Sequence, residues 1–402
     1  MRVLVTGARM WYAINTIRLL ARSGHEVFAA DSSRLSGGLY SRYLKGKFIY
    51  PSVGENSSAF VESVIEKIEE LKIDVLCPTF EEGFVFSKYI GRLEGRVNVL
   101  VPSYDHITLL HDKYSMTTYA RSLGISVPKT ALLKDFSLEG CEFPVIIKPR
   151  NQRSAEGIFK VNSIGEFEKR CRNLEEDRYL VQEWKEPYQI CTTGLAHNGR
   201  LIGNVIYHNI REYPESGGIG TCRVSIDCEK ALGEVKKIVS DLNYSGFISM
   251  DFLHDRINGE YYLVDVNPRM SPGLLIAYNS GVDMVKAYLE LANGSEVSVA
   301  RSPKTGYGTF TTAMEIGWFF STLFKGKFKN LKGFFKSRKK LKDDSWDVRD
   351  PIPFFVMLLS MLNTAVFGPL RGGQTKSFSL GATCDTESLG SEDELIKKKK
   401  AV

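Results

Sequence analysis

The sequence predicts an α/β domain, then an α+β body, then a helical C-terminal segment, and three stretches carry that expectation. Near the start, Arg2-Val3-Leu4-Val5-Thr6-Gly7, an apolar helix and His25-Glu26-Val27-Phe28-Ala29-Ala30-Asp31 follow in the order of a βαβ unit. Further on, Ile248–Phe252 and Tyr262–Arg269 are apolar strands that carry acids, joined by a link containing Asn258-Gly259, a strong short-range hairpin signal. From Trp318 onward aromatic and basic residues mix, and an apolar stretch follows.

The N-terminal unit has a nucleotide-binding look that fails on inspection. The glycines of a dinucleotide fingerprint would fall at 7, 9 and 12, and those positions hold Gly7, Arg9 and Tyr12. Long side chains there block the close backbone approach that a pyrophosphate needs. Asp31 sits where a ribose-binding acid belongs, but without the glycines it carries little weight. The unit is therefore expected to be Rossmann-like in architecture, and an NAD-dependent dehydrogenase is a weak alternative.

The hairpin is more informative, because a buried unpaired carboxylate is costly and wants a cation. A three-residue loop at 257–259, with Gly259 left-handed, places residue 256 opposite 260 and Asp251 directly opposite Asp265. Asn267 joins that face at the strand period of two, while Met250, Phe252, Val264 and Val266 fill the other. Two carboxylates and an amide with Arg269 just beyond suit Mg²⁺, which takes few carboxylates and completes its shell with water and substrate phosphates. A pair of solvated acids on an exposed sheet face fits the hairpin alone equally well.

Upstream, Phe143-Pro144-Val145-Ile146-Ile147-Lys148-Pro149 reads as a short buried strand with one lysine near its end, which needs an anion. Tyr179-Leu180-Val181-Gln182-Glu183-Trp184 is a second short strand running into a polar, aromatic segment. A strand with a lysine, a linking strand, then an acid-bearing hairpin ending Asp-Val-Asn-Pro-Arg resembles the ATP-grasp superfamily, in its carboxylate–amine ligase or carbamoyl-phosphate-synthase-like branch. The resemblance covers roughly residues 105 to 300 and extends to an N-terminal domain of the kind that precedes an ATP-grasp domain.

That resemblance implies a nucleotide held between two α+β subdomains, with ATP and Mg²⁺ (or Mn²⁺) as cofactors. His111-Asp112-Lys113 resembles the segment that opens the domain, so Lys113 and Lys148 would reach the phosphates. Gln182, Glu183, Trp184 and Lys185 would form the hinge against adenine, largely through their backbones, and Gln189 stands where relatives place a glutamate for the ribose. Asp251, Asp265 and Asn267 would hold the metal, and Arg269 would face the γ-phosphate or an acyl phosphate. The flap after Lys148 departs from the pattern: Arg150-Asn151-Gln152-Arg153-Ser154-Ala155-Glu156-Gly157 has a single glycine, and Arg150 and Arg153 either replace backbone contacts with charge or are solvated.

In the same comparison the N-terminal domain lines the acceptor cleft through the loop Pro78–Gly83, where Glu81 or Glu82 either binds a substrate amine or sits as an acid at a helix N-terminus. The segment from Tyr207 to Thr221 reads as a strand leading to a glycine-rich turn, and Arg211 is expected to fork onto the substrate carboxylate, unless it pairs with Glu212 or Glu215. His208 reads as a satisfied strand histidine, and Ser271-Pro272-Gly273 as a tight turn lining the pocket.

Composition agrees but discriminates little. A chain of 402 residues at 43% hydrophobic content can bury two or three cores, and seven scattered cysteines form neither a disulfide framework nor a zinc site. A signal peptide is not apparent, so a cytoplasmic enzyme is expected. Between Trp318 and Lys342, Phe319, Phe320, Leu323, Phe328, Leu331, Phe334 and Phe335 mix with Lys325, Lys327, Lys329, Lys332, Lys336, Arg338, Lys339, Lys340 and Lys342. The apolar stretch 351–370 is too short and proline-bounded for a membrane span. It suits either a helical subdomain packed on the core or, through 318–370, peripheral contact with the inner membrane face. A net charge of +6 without a reader motif argues against nucleic acid.

The expected division is 1–108 Rossmann-like, 109–186 and 187–300 the two ATP-grasp subdomains, 301–371 basic and helical, and 372–402 a disordered tail. The expected activity is ligation of a small-molecule carboxylate, activated as an acyl phosphate, to an amine, in a chain that forms a homodimer. An ATP-binding regulatory or scaffold protein without turnover is the alternative.

Overall fold

The computed structural model describes residues 1–151, 157–186, 188–213, 218–256, 258–299, 302–328, 331, 334 and 341–367. The expected flap positions Gln152 to Glu156 with Arg153, the turn residues 214–217 with Glu215, Lys329, Lys332, Phe335, Lys336 to Lys340 and the tail after 367 lie outside the described residues.

Three sheets organise the chain. In the first, β1 (Arg2–Thr6), β2 (Glu26–Asp31), β3 (Leu44–Ile49), β4 (Val75–Pro78) and β5 (Asn98–Val99) are all parallel in the order β3-β2-β1-β4-β5. The order reverses between β1 and β4, so a crevice opens at their carboxyl ends. Strands β1, β2 and β4 are buried almost throughout and read as near-continuous apolar runs, whereas the edge strand β3 alternates.

The second sheet is small and antiparallel: β6 (Thr130–Leu132), β7 (Val145–Pro149), β8 (Phe159–Val161) and β9 (Tyr179–Glu183), in the order β6-β9-β7-β8. Its apolar face closes over Phe167 of the helix Ile164–Cys171. The third holds β10 (Gln189–His197), β11 (Arg200–Tyr213), β12 (Ile219–Ser225), β13 (Gly246–His254), β14 (Tyr261–Asn267), β15 (Gly308–Phe310) and β16 (Lys342–Asp343), in the order β14-β13-β10-β11-β12-β15-β16. One face packs on the helix Glu229–Asp241 through Ile190, Ile206, Met250, Phe252, Leu263 and Val266. The other shares a core with the N-terminal helix Trp11–Arg22 and the helix Met284–Ala292.

The C-terminal segment is built into this body. Three buried arginines take their counter-charges from it: Arg211 pairs with Glu315, Arg223 with Asp344, and Arg18 with Asp350. A buried charge must be paired, so the residues after 308 complete the electrostatics of the domains before them. The inner face of the helix Ile352–Phe367 buries Phe354 and Met357 in the shared core and lies against Gly37, where a Cβ would come within 2.8 Å of the Pro353 carbonyl. Among the described residues no helix is long and apolar enough to cross a membrane.

Candidate active site

The hairpin β13–β14 sets the floor of the site. Asp251 pairs directly with Asp265, and Ser249 with Asn267. The route to that register differs from the expected one. The loop is closed by Asp255, whose N–H donates to the Glu260 carbonyl at 2.8 Å, so four positions, 256–259, turn the chain instead of three. Gly259 is left-handed at φ 72° as the turn requires. A β-bulge then absorbs the extra residue: Phe252 pairs with Leu263, and Val264 is left over before Asp265. Leu263 therefore fills the core position expected of Val264, which is only partly buried.

The bulge has a use, because the freed Val264 carbonyl accepts a hydrogen bond from Lys148 Nζ at 3.3 Å. Lys148 reaches it from β7 and is almost fully buried. Burial first, and the neighbouring Lys113 second, lower its pKa to about 7, with Asp265 acting in the opposite direction. Lys113 arrives from the start of the helix Lys113–Ser122, capped by Asp112, whose carboxylate accepts from Ser115 N–H at 2.7 Å. Its Nζ stands 3.2 Å from Asp265 Oδ1. Arg150, at the head of the flap, is fixed to Asp112 by a 2.8 Å bond from Nε and donates to the Asp177 carbonyl.

Asp251 is pushed up to about 7, by burial first and then by the facing Asp265 charge, with Glu212 adding to it and the Cys191 thiol and Arg269 opposing. Asn267 Nδ2 donates to Asp265 Oδ2 at 3.0 Å, and Arg269 Nη2 donates to Asn267 Oδ1 at 3.1 Å. The acids, the amide and the guanidinium thus form one chain of contacts. Arg269 also lies 4.5 Å over the Phe80 ring and 3.9 Å from Glu81 Oε1, so the loop after β4 does meet the site. The turn that follows Arg269 presses on the sheet floor: a Cβ at Gly273 would stand 2.3 Å from Thr193 Oγ1, and Ser271 hydrogen-bonds Thr193.

Other expected residues fall around this centre. Gln182 is buried and donates to Thr130 Oγ1 at 2.8 Å. Glu183 N–H is taken by the Lys129 carbonyl, and its carboxylate by Lys185 Nζ at 2.6 Å. Trp184 carries Lys160 Nζ 3.7 Å above its ring, while Lys185 sits over Tyr262. Gln189 Oε1 accepts from Asn209 Nδ2 at 3.3 Å, beside Cys191.

Arg211 takes a partner other than the Glu212 or Glu215 considered for it. A double irregularity in β11, between Asn209 and Arg211 and again before Glu212, turns successive side chains away from strict alternation. Glu212 comes to face Asn209, with Asn209 Nδ2 donating to Glu212 Oε1 at 3.0 Å, while Arg211 turns the other way. There its Nε and Nη2 donate to the Glu315 carboxylate at 2.6 to 3.1 Å, and the guanidinium stacks against Trp318 and Phe334. Its charge is paired with Glu315 of the C-terminal helix. Cys191, Asn209 and Glu212 are the site neighbours the sequence reading missed. Asn209 shares its face with Tyr207 by ordinary alternation, whereas only the bulge brings Glu212 in, and nothing in the local sequence announces it.

The N-terminal crevice is closed to a dinucleotide. Arg9 forks onto Asp31 with Nε and Nη2, and its N–H also donates to Asp31 Oδ2 at 2.8 Å. The acid that would take a ribose is consumed by the arginine that displaced the glycine. Glu81 and Glu82 are fully buried at the start of the helix Glu82–Lys88. Tyr50 OH donates to Glu82 Oε1 at 2.9 Å, and burial raises Glu82 to about 7.

This arrangement, two facing carboxylates beside two buried lysines at a junction of two α+β sheets, is that of an ATP-grasp domain. Residues 110–273 match the ATP-grasp domain family, so the chain carries an ATP-grasp domain over that span. It is 27% identical over 204 residues to a D-alanine–D-alanine ligase of Fusobacterium nucleatum, covering 46% of this chain and 66% of that one. It is 26% identical over 228 residues to the carbamoyl phosphate synthase large chain of Thermoanaerobacter pseudethanolicus, covering 52% of this chain and 21% of that one. The chain thus spans less than two thirds of either relative. In fold it resembles the biotin carboxylase of Campylobacter jejuni solved as a β,γ-ATP complex, with a TM-score of 0.62 at 16% identity over 76% of this chain and 74% of that one.

Proposed function

We propose that this chain is an ATP-dependent carboxylate–amine ligase, and the observation that carries the reading is the contact network that gathers Lys113, Lys148, Asp251, Asp265, Asn267 and Arg269 at the end of one hairpin. Lys113 and Lys148 would bind the phosphates of ATP as point charges. Lys148 is buried beside the like charge of Lys113, and among the described residues it donates to the Val264 carbonyl while Asp265 offsets part of the burial, a state that an incoming anion relieves further. The donor set fits a divalent cation: two carboxylates face each other, one driven towards its protonated form by burial and then by the other's charge, with an amide beside them. Among the described residues no group of three His, Cys, Asp or Glu side chains forms a metal cage, and Mg²⁺ needs none, since it takes one or two carboxylates and completes its shell with water and phosphate oxygens. Asp251, Asp265 and Asn267 would hold Mg²⁺ or Mn²⁺, which when bound neutralises phosphate charge.

In this reading a substrate carboxylate oxygen attacks the γ-phosphorus of ATP and ADP leaves, giving an acyl phosphate. The amine nitrogen then attacks the acyl carbon, phosphate departs with the C–O electron pair, and the amine loses a proton as the C–N bond forms. The residues act by position and charge: Lys148 and Lys113 hold the transferring phosphate, and Arg269, fixed by Asn267 and Phe80, faces the acyl phosphate. Gln182 to Lys185 and Gln189 border the nucleotide. The partners are a small-molecule acid and amine in the cytoplasm, with a homodimer as the expected assembly and peripheral membrane contact through 318–370.

The test is release of ADP and phosphate from Mg-ATP against pooled amino and hydroxy acids, alongside Asp265→Ala. Acid-dependent release that the variant loses supports the ligase. Failure of the wild-type chain to bind Mg-ATP sinks it.

A further inference from the structure

Two helices of the C-terminal segment bury one side in the protein and turn an apolar stripe to solvent on the other. On the helix Thr312–Phe324, Ala313, Met314, Glu315 and Trp318 are buried, whereas Ile316, Phe320 and Phe324 recur every fourth residue on the exposed side. Phe328 continues that spacing, and Phe324 is 85% exposed. On the helix Ile352–Phe367, Ile352, Phe355, Leu359 and Leu362 form a second stripe, each more than half exposed, opposite buried Phe354 and Met357. The two helices touch each other, and Trp346 packs edge-on against Phe355 between them. Soluble surfaces scatter single apolar residues, but they rarely align them along neighbouring helices.

The charge beside these stripes selects the occupant. Lys325 and Lys327 are exposed at the end of the first helix, and from 316 to 342 the sequence contains no Asp or Glu at all. A second copy related by a two-fold axis would bring this basic segment against itself. An anionic lipid surface offers acyl chains to the aromatics and headgroup phosphates to the lysines. We propose that these two stripes are a docking face for an anionic phospholipid bilayer, on which the helices lie in the plane of the interface. The first helix is tied to the body through Glu315 and Arg211, so docking would hold the whole molecule to the surface and not a loose tail. The inference is independent of the ligase reading.

The test is flotation of the full-length chain with vesicles of phosphatidylcholine alone and of phosphatidylcholine mixed with phosphatidylglycerol, with light scattering on the free protein. The wild-type chain should float with the mixed vesicles, poorly with phosphatidylcholine, and less as salt rises. Phe320→Ser with Phe324→Ser, and separately Phe355→Ser with Leu359→Ser, should each lower partitioning on the order of tenfold while leaving circular dichroism and Mg-ATP binding unchanged. Lys325→Glu with Lys327→Glu should abolish the preference for the anionic lipid. Absence of flotation in the wild-type chain overturns the proposal. So does a dimer that the same serine variants dissociate, which would assign the face to self-association.

Discussion

Nucleotide binding should move protons in opposite directions at two residues of the site, and the two can be separated. Lys148 and Asp251 both titrate near pH 7, the lysine lowered by burial and by Lys113, the aspartate raised by burial and by Asp265. At pH 7 each is therefore about half protonated in the free chain. Phosphate arriving at Lys148 favours its charged form, so ADP binding in the presence of a chelator should take up about 0.5 proton per site at pH 7, rising towards about 0.9 at pH 8. Cation binding at Asp251 expels the proton there, so with Mg²⁺ present uptake and release should nearly cancel at pH 7. Calorimetry in buffers of different ionisation enthalpy counts these protons, after correction for the nucleotide's own. Lys148→Met should abolish the metal-free uptake, and Asp251→Asn should unmask about 0.5 proton of uptake in Mg²⁺. Unchanged uptake in Lys148→Met, or none in the wild-type chain without metal, would refute the assignment of Lys148 to the phosphates.

Removing one partner of the buried Arg211–Glu315 pair leaves a bare charge, so Arg211→Ala and Glu315→Ala should each lower unfolding free energy by about 3–5 kcal/mol in a urea titration, with Arg211→Met/Glu315→Leu recovering most of it. Gly273→Ala has no room above Thr193 and should displace the turn bearing Arg269, costing about 10- to 100-fold in kcat while the urea midpoint moves far less. Glu82 has a folded pKa of about 7 against an ordinary 4.5, so the folded state holds its proton more tightly and loses stability as pH rises from 4.5 through 7. Glu82→Gln should accordingly raise Tm at pH 8 and leave it little changed at pH 4, and a variant that loses stability equally at both would contradict the buried-acid account.

The parts legible in the sequence were those governed by local pattern. Apolar runs and the failed glycine fingerprint gave a parallel sheet with Arg9 in the dinucleotide's place, and Asn258-Gly259 gave the hairpin. The pairing of Asp251 with Asp265 came out as expected although the loop is one residue longer, because the bulge at Val264 restores the register. Bulges are where the reading runs out: a single inserted residue exchanges Leu263 for Val264 in the core and turns Arg211 towards Glu315, with no signature at the position itself. The C-terminal pairs were equally hidden, since Arg18 and Asp350 are 332 residues apart and β16 has two residues. Long-range ion pairs and very short edge strands leave no periodicity to read.

The most direct test of the central claim is to trap the activated acid. Hydroxylamine added to the chain with Mg-ATP and the acids that drive ADP release should yield the corresponding hydroxamates, in amounts matching ADP, and none with Asp265→Ala. Acid-driven cleavage of ATP to AMP and pyrophosphate, or ADP release with no hydroxamate at saturating hydroxylamine, would contradict acyl phosphate formation at this site.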